Sequence, residues 1–267
     1  MPESMLLPLY QVDAFAERLF AGNPAAVCPL DRWLPDLLMQ QIAAENNLSE
    51  TAFIVAEGEG YRIRWFTPTT EVDLCGHATL AAAFVLFDQL GQAGDTLRFA
   101  SRSGTLEVTR DGELLALGFP ASPPEACETP ATLIEGLGIA PLEVRAAEDW
   151  LVVLEREADV AAIRPDLAAL RRLDRRGVIV TAPGDTCDFV SRFFAPNYGI
   201  DEDPVTGSAH CLLTPYWAAR LGKTELLARQ ISPRGGTLHC RLDGGRVHIA
   251  GSALLYLKGS IALSADT

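Results

Sequence analysis

The chain has 267 residues, a formal net charge of -13 and a sequence pI near 4.7, a balance that disfavours nucleic acid and anionic membrane as partners. Hydrophobic residues make up 48% and charged residues 21%, enough apolar surface to bury sizeable cores and to exclude a disordered chain. No basic segment precedes an apolar stretch at the N-terminus, and the longest apolar run, Ala78 to Phe87, is far below the roughly 18 residues of a membrane-spanning helix, so a soluble, unprocessed protein is expected.

Leu9 to Phe15 alternates apolar and polar residues like a strand, and Gly22-Asn23-Pro24 punctuates the turn after it. Pro35 suits a first helical turn, with Leu34, Leu37, Leu38 and Ile42 on one face. Strands are expected at Ala52 to Val55 and Tyr61 to Phe66. Gly76 to Leu90 is apolar almost all round, which predicts a helix enclosed on every side. Pro120 to Pro130 reads as the interdomain linker. Beyond it the pattern returns: a helix after Pro165-Asp166-Leu167, strands at Val178 to Thr181 and Phe189 to Phe194, and a second enclosed helix from Gly207 to Leu221. Pro215 inside that helix predicts a kink or a locally broken hydrogen bond. The last strand, Ala253 to Leu263, lies beyond the repeat and is expected to rejoin the first half.

The return is a duplication. Arg64-Trp65-Phe66-Thr67-Pro68 reappears as Arg192-Phe193-Phe194-Ala195-Pro196, Gly76-His77-Ala78 as Gly207-Ser208-Ala209, and Arg102-Ser103-Gly104-Thr105-Leu106 as Arg234-Gly235-Gly236-Thr237-Leu238. Matches in one order at nearly one shift predict two similar units about a pseudo-twofold axis, with a ligand site in the cleft between them. We place one domain at residues 1–118 with 255–267 and the other at 119–254, each a sheet rolled around its central helix. The first half carries five extra residues around Glu45-Asn46-Asn47-Leu48-Ser49 that have no counterpart.

Both central helices open on Gly-x-Ala, leaving backbone N–H groups without intrahelical partners where glycine lets an anion approach. Ordinary capping with glycine for tight packing would explain one such start; a pair brought together would cradle a carboxylate. Within the duplicated frame Glu71 matches Glu202, but Val72 stands opposite Asp203, Cys75 opposite Thr206 and His77 opposite Ser208. Unlike polar groups on two sides suit proton transfer between two positions of a substrate. Glu45 joins them as the acid of the unmatched insertion, its plainer reading being a solvated helix-end carboxylate. Cys75 reads as a buried thiol more readily than as a nucleophile. Cysteines 28, 75, 127, 187, 211 and 240 make no Cys-x-x-Cys pair, and the four histidines fall in no ligand spacing with them. No metal is therefore expected, and the free thiols point to a reducing cytoplasm.

Gln11 to Phe15, Gly22-Asn23-Pro24-Ala25, Glu45 to Phe53, Phe66-Thr67-Pro68, Cys75-Gly76-His77-Ala78-Thr79 and Glu202-Asp203-Pro204-Val205-Thr206-Gly207-Ser208-Ala209 closely resemble the PhzF-like phenazine biosynthesis family, over essentially the whole chain. The resemblance implies the diaminopimelate epimerase-like α/β (α+β) fold, a homodimer, and cofactor-free isomerisation of trans-2,3-dihydro-3-hydroxyanthranilate by moving a proton between ring carbons. It gives Glu45 the role of proton shuttle, with Asp203 and His77 as its catalytic companions orienting the substrate amine and polar edge. Gly76, Gly207 and Ser208 would hold the carboxylate, and Ala78 belongs to the same binding set. The parent fold also hosts two-thiol racemases. Here Cys75 keeps the first thiol but Thr206 stands at the second, and a hydroxyl is no comparable acid or base at neutral pH.

The expected function is thus a cytoplasmic, cofactor-independent isomerase acting on a small carboxylate-bearing cyclic or amino compound. The alternatives are an epimerase or racemase using Glu45 with Cys75, and a catalytically silent binding or scaffold protein on the same fold.

Overall fold

The structure, a computed structural model, describes residues 5–264. It divides into two compact units, one formed by the chain through Gly118 together with the segment from Ala250 onward, the other by Phe119–Ile249. The terminal segment therefore rejoins the first unit from Ala250, a little before the expected residue 255. Among the described residues no helix is long and apolar enough to cross a membrane.

The first unit runs β1 (Met5–Ala14), β2 (Asn23–Leu30), α1 (Asp36–Asn46), β3 (Glu50–Glu57), β4 (Gly60–Phe66), β5 (Glu71–Val72), α2 (Gly76–Phe84), β6 (Thr96–Ser101), β7 (Gly104–Asp111) and β8 (Leu114–Pro120). The terminal strand, Ala253–Leu263, pairs antiparallel with β1, with Tyr10 opposite Lys258 and a bulge at Gln11/Val12. From β1 the sheet continues antiparallel to β2, parallel to β3 and antiparallel to β4. β4 lies parallel to β6, with Tyr61 opposite Phe99, and β7 and β8 follow as antiparallel neighbours. Parallel neighbours need a crossover, and α2 is the crossover from β4 to β6. It packs against β1, β2, β3, β7 and the terminal strand, so the sheet wraps it. Its Ala78, Leu80, Ala81, Ala82 and Ala83 are fully buried. Small side chains let strands close in on several sides, which is why the helix is apolar all round. The expected helix to Leu90 ends α-helical at Phe84 and continues as a π-helical turn over Val85–Gln89, where the Leu90 N–H donates to the Val85 carbonyl at 3.0 Å.

The second unit contains β9 (Glu125–Ala126), α3 (Ala131–Leu137), β10 (Glu143–Ala146), β11 (Trp150–Val153), α4 (Glu157–Ala162), α5 (Leu167–Leu170), β12 (Val178–Pro183), β13 (Phe189–Ala195), β14 (Ile200–Asp203), α6 (Gly207–Leu221), β15 (Glu225–Gln230), β16 (Gly236–Asp243) and β17 (Arg246–Gly251). The repeat is visible in its topology. β13 lies parallel to β15, with Phe189 opposite Ala228, and α6 is their crossover. The rings of Phe189 and Trp217 stack at 5.7 Å, and the Trp217 indole N–H donates to Thr181 Oγ1 at 3.0 Å. The repeat also extends to side-chain forks. Arg64 holds Glu71 through Nε and Nη2 at 2.7 and 2.8 Å, and Arg192 holds Glu202 through the same atoms at 2.7 and 2.9 Å. Each guanidinium also lies over a phenylalanine two residues on, Phe66 or Phe194.

One expectation changes and one holds. Pro120 to Pro130 is no free linker: β9 pairs with β10, and the Ala121 N–H donates to the Gly245 carbonyl. Pro215 leaves α6 continuous with one hydrogen bond of its ladder missing, as expected. Lacking an N–H, it leaves the Cys211 carbonyl one turn back without its helical donor, and the Ser122 N–H fills that place at 2.9 Å. The unit also holds a buried ion pair. Asp149, with no solvent exposure, accepts from Arg176 Nε at 2.9 Å and Nη2 at 2.5 Å.

Candidate active site

In the first unit the chain leaves α1 through Asn47, which takes a left-handed φ of 48° and returns its N–H to the Ala43 carbonyl. Ser49 Oγ donates to Asn23 Oδ1 at 3.0 Å and Asn46 Nδ2 to Thr51 Oγ1 at 3.1 Å. These bonds pin the turn and deliver Glu50 to the first position of β3. There its Oε2 lies 3.0 Å from His77 Nε2 at the start of α2, both side chains nearly out of solvent. The contact is an ion-pair contact, off the line of a hydrogen bond, so both atoms are buried without a hydrogen-bond partner. On the opposite edge of the ring, His77 Nδ1 is 3.6 Å from Cys75 Sγ.

Glu45 does not join this group. It sits solvent-exposed on the last turn of α1. The carboxylate brought against His77 is Glu50, five residues further along the same motif. An acid at the head of the otherwise apolar Thr51-Ala52-Phe53-Ile54-Val55 was the available signal.

Burial is the largest influence on Cys75 and pushes its thiol up, Glu50 adding to the shift and His77 opposing it. For His77, burial pulls the imidazolium down, but negative charge at Cys75 and Glu50 outweighs it and holds the ring well above the usual histidine value of 6.5. A thiol pushed up is neutral near pH 7, so Glu50 is the counter-charge that matters there. A histidine raised on folding contributes stability that is full below its unfolded value and lost as pH rises through the folded one. Wild type should therefore lose its stability margin over His77→Gln as pH rises from the usual histidine value of 6.5 through the raised folded one. Denaturation midpoints of the two proteins across that range check this, and a margin that holds constant would show an uncharged ring.

Glu50, Cys75 and His77 offer one donor atom each within 4.8 Å of one another. An ion takes one ring nitrogen, whereas here the thiol faces Nδ1 and the carboxylate Nε2. That arrangement suits protons moving at both edges of the ring better than a three-donor metal centre. Gly76 and Ala78 flank His77 in the first turn of α2, where N–H groups lack intrahelical acceptors.

In the second unit Asp203 is buried at the end of β14, and its Oδ2 accepts from Thr206 Oγ1 at 2.5 Å. Thr206 caps α6 without a side-chain cap bond, and Gly207 and Ser208 begin the helix. A Cβ built on the buried Gly207 would meet nothing within 4 Å, so tight packing does not account for this glycine. His210, one turn on, donates through Nδ1 to the Thr206 carbonyl at 2.8 Å. Burial lowers it to about 4, against the pull of that carbonyl, so it is neutral and structural. Gln230, which the sequence did not single out, meets both Asp203 and Thr206.

The family model described as phenazine biosynthesis-like protein matches residues 12–259. An uncharacterized isomerase of Pseudomonas aeruginosa is 58% identical over 259 residues, covering 97% of this chain and all of that protein. A crystal structure of a PhzF-family phenazine biosynthesis protein from Enterococcus faecalis is 53% identical and superposes with a TM-score of 0.96, over 97% of this chain and 100% of that one. A hydroxyproline epimerase from Agrobacterium vitis, 12% identical with a TM-score of 0.62 over 99% and 94% of the two chains, shares the fold alone. With matches of this extent and a sheet wrapped on a central helix in both units, the chain belongs to the phenazine biosynthesis-like family of isomerases and has the diaminopimelate epimerase-like fold.

Proposed function

We propose that the protein is a cofactor-independent isomerase that moves a proton on a small carboxylate-bearing cyclic or amino compound of the trans-2,3-dihydro-3-hydroxyanthranilate kind. The observation that carries this reading is the buried contact between Glu50 and His77. A carboxylate shielded from bulk water can take a proton from carbon and hold it for return, and an adjacent imidazolium stabilises the charged form between turnovers. Asp203 is assigned to the substrate amine and polar edge, and Gly207 and Ser208, with Gly76 and Ala78, to its carboxylate. The space in front of Gly207 supports that part, since a ligand oxygen can reach the backbone N–H there.

A second reading, epimerisation with two proton carriers, is favoured by the Cys75 thiol at the far edge of the same imidazole. Deuterated water separates the two. One carrier returns part of the substrate's own proton, so product formed in deuterated water keeps some protium at the new position. Two carriers deliver a different proton and give nearly full deuterium. Turnover of trans-2,3-dihydro-3-hydroxyanthranilate and then of a panel of amino and cyclic carboxylates, read by mass spectrometry and NMR, makes the distinction. A chain that converts none of them and exchanges no carbon-bound hydrogen is not an isomerase of this class.

A further inference from the structure

Both units tie the turn of a hairpin to the loop before the central helix. In the first, Ser103, between β6 and β7, donates through Oγ to the Asp73 carbonyl at 2.8 Å. In the second, Ser232, between β15 and β16, donates to the Pro204 carbonyl at 2.8 Å. Although the donating serines stand at different places in the two turns, Asp73 and Pro204 are related by the shift that relates Gly76 to Gly207, so the accepting carbonyl is part of the repeat. The residue closing the preceding strand is not. Ser101 pairs with Gly104, the glycine that opens β7, and Gln230 pairs with Gly236, the glycine that opens β16, so the two hold equivalent places.

Ser101 spends its hydroxyl on its own hairpin, donating to the Gly104 carbonyl at 2.7 Å and accepting the Ser103 N–H at 3.2 Å. Gln230 reaches across instead. Its Oε1 accepts the Thr206 N–H at 2.9 Å, and its Nε2 donates to the Asp203 carbonyl at 2.7 Å and to Thr206 Oγ1 at 3.1 Å. Thr206 Oγ1 passes the connection on to Asp203 Oδ2. Both amide protons and the amide oxygen are engaged, and the residue is 1% exposed, so water does not compete. A side chain that only filled volume at this place would be apolar, because a buried amide is costly unless bonded.

We propose that Gln230 is the positioning residue of the second unit, fixing the Asp203 carboxylate and the start of α6 in the arrangement that receives the substrate's polar edge. The proposal rests on the assignment of Asp203, Gly207 and Ser208 to substrate binding. It gives the duplicated halves different mechanical roles: one helix start is clamped by a buried amide, while the other presents Cys75 and His77 without such a clamp.

The test uses the full chain, with anthranilate as a probe carrying an amine beside a carboxylate, titrated while the Gly207 and Ser208 amides are followed by NMR. Gln230→Met, similar in volume but without amide bonds, should weaken binding at least about tenfold, the loss of roughly one or two hydrogen bonds. It should also speed hydrogen exchange at the Thr206 amide while leaving His77 and Ala78 in the first unit unchanged. Gln230→Glu keeps the acceptor for the Thr206 N–H but loses both donations, so it should recover exchange protection and not binding. In an Asp203→Asn background Gln230→Met should cost little more, because the two act through one network. Binding by Gln230→Met within about twofold of wild type, or a full additive cost in the Asp203→Asn background, overturns the positioning role. So does exchange that rises equally in both units, which would mark a general loss of stability. If wild type shows no shift at Gly207 and Ser208 under saturating anthranilate, the binding assignment itself fails and the proposal falls with it. If Asp203→Asn weakens binding and Gln230→Met does not, only the role of Gln230 is lost.

Discussion

Glu50→Gln should lower turnover by about 10²- to 10⁴-fold, the usual share of one acid/base group, while Glu45→Gln should leave it within about twofold of wild type. Glutamine keeps the length and one acceptor oxygen of Glu50, so the place beside His77 Nε2 stays filled and substrate should still bind. Only the capacity to take a proton is removed. The two glutamates stand five residues apart in one motif, yet one faces a buried imidazole at 3.0 Å and the other faces water. Kinetics of both variants on the first carboxylate that wild type converts provide the measurement. Equal turnover by wild type and Glu50→Gln would end the carboxylate-carrier reading, and a large loss with Glu45→Gln would return the role to the residue first chosen from the sequence.

Asp149→Ala is expected to cost about 3–5 kcal/mol of stability. It leaves the Arg176 guanidinium mostly buried beside Phe193 without the carboxylate that accepts two of its N–H groups. Removing one partner of a buried pair costs more than the pair is worth, and the exposed Glu148, 3.7 Å from Arg176 Nη1, replaces the lost carboxylate only in part. Glu107→Ala, which breaks the exposed pair with Arg98 at 3.0 Å, should by contrast cost less than about 1 kcal/mol. Urea denaturation of the full chain, compared with wild type, measures both. A loss for Asp149→Ala no greater than for Glu107→Ala would mean that Arg176 finds solvent once its partner is gone.

The larger outlines were legible because they are written twice. The duplicated Arg-x-Phe and Gly-x-Ala segments mark equivalent strands and helix starts, and helices without a polar face have to be enclosed. The contact of Glu50 with His77 was not legible in the same way. It depends on the left-handed turn at Asn47 and on Ser49 reaching Asn23, contacts between segments that no local pattern displays. Gln230 was hidden for a related reason. A glutamine ending a strand looks like an ordinary edge residue until the loop before α6 is folded onto it. The Pro-rich stretch from Pro120 misled because proline density reports backbone stiffness, whereas the docking of Ser122 onto the Cys211 carbonyl is set by a proline far away in sequence, Pro215.

The terminal strand also constrains the order in which the molecule can be built. In chain order the second unit, Phe119–Ile249, precedes Ala253–Leu263, the strand that pairs along the whole of β1. During most of synthesis that long edge offers unpaired N–H and C=O groups, the kind of surface that recruits other strands. Closing it means joining segments about as far apart as this chain allows, and such contacts form slowly. A chain that folds as it is made would carry that open edge until Ala253–Leu263 pairs with β1.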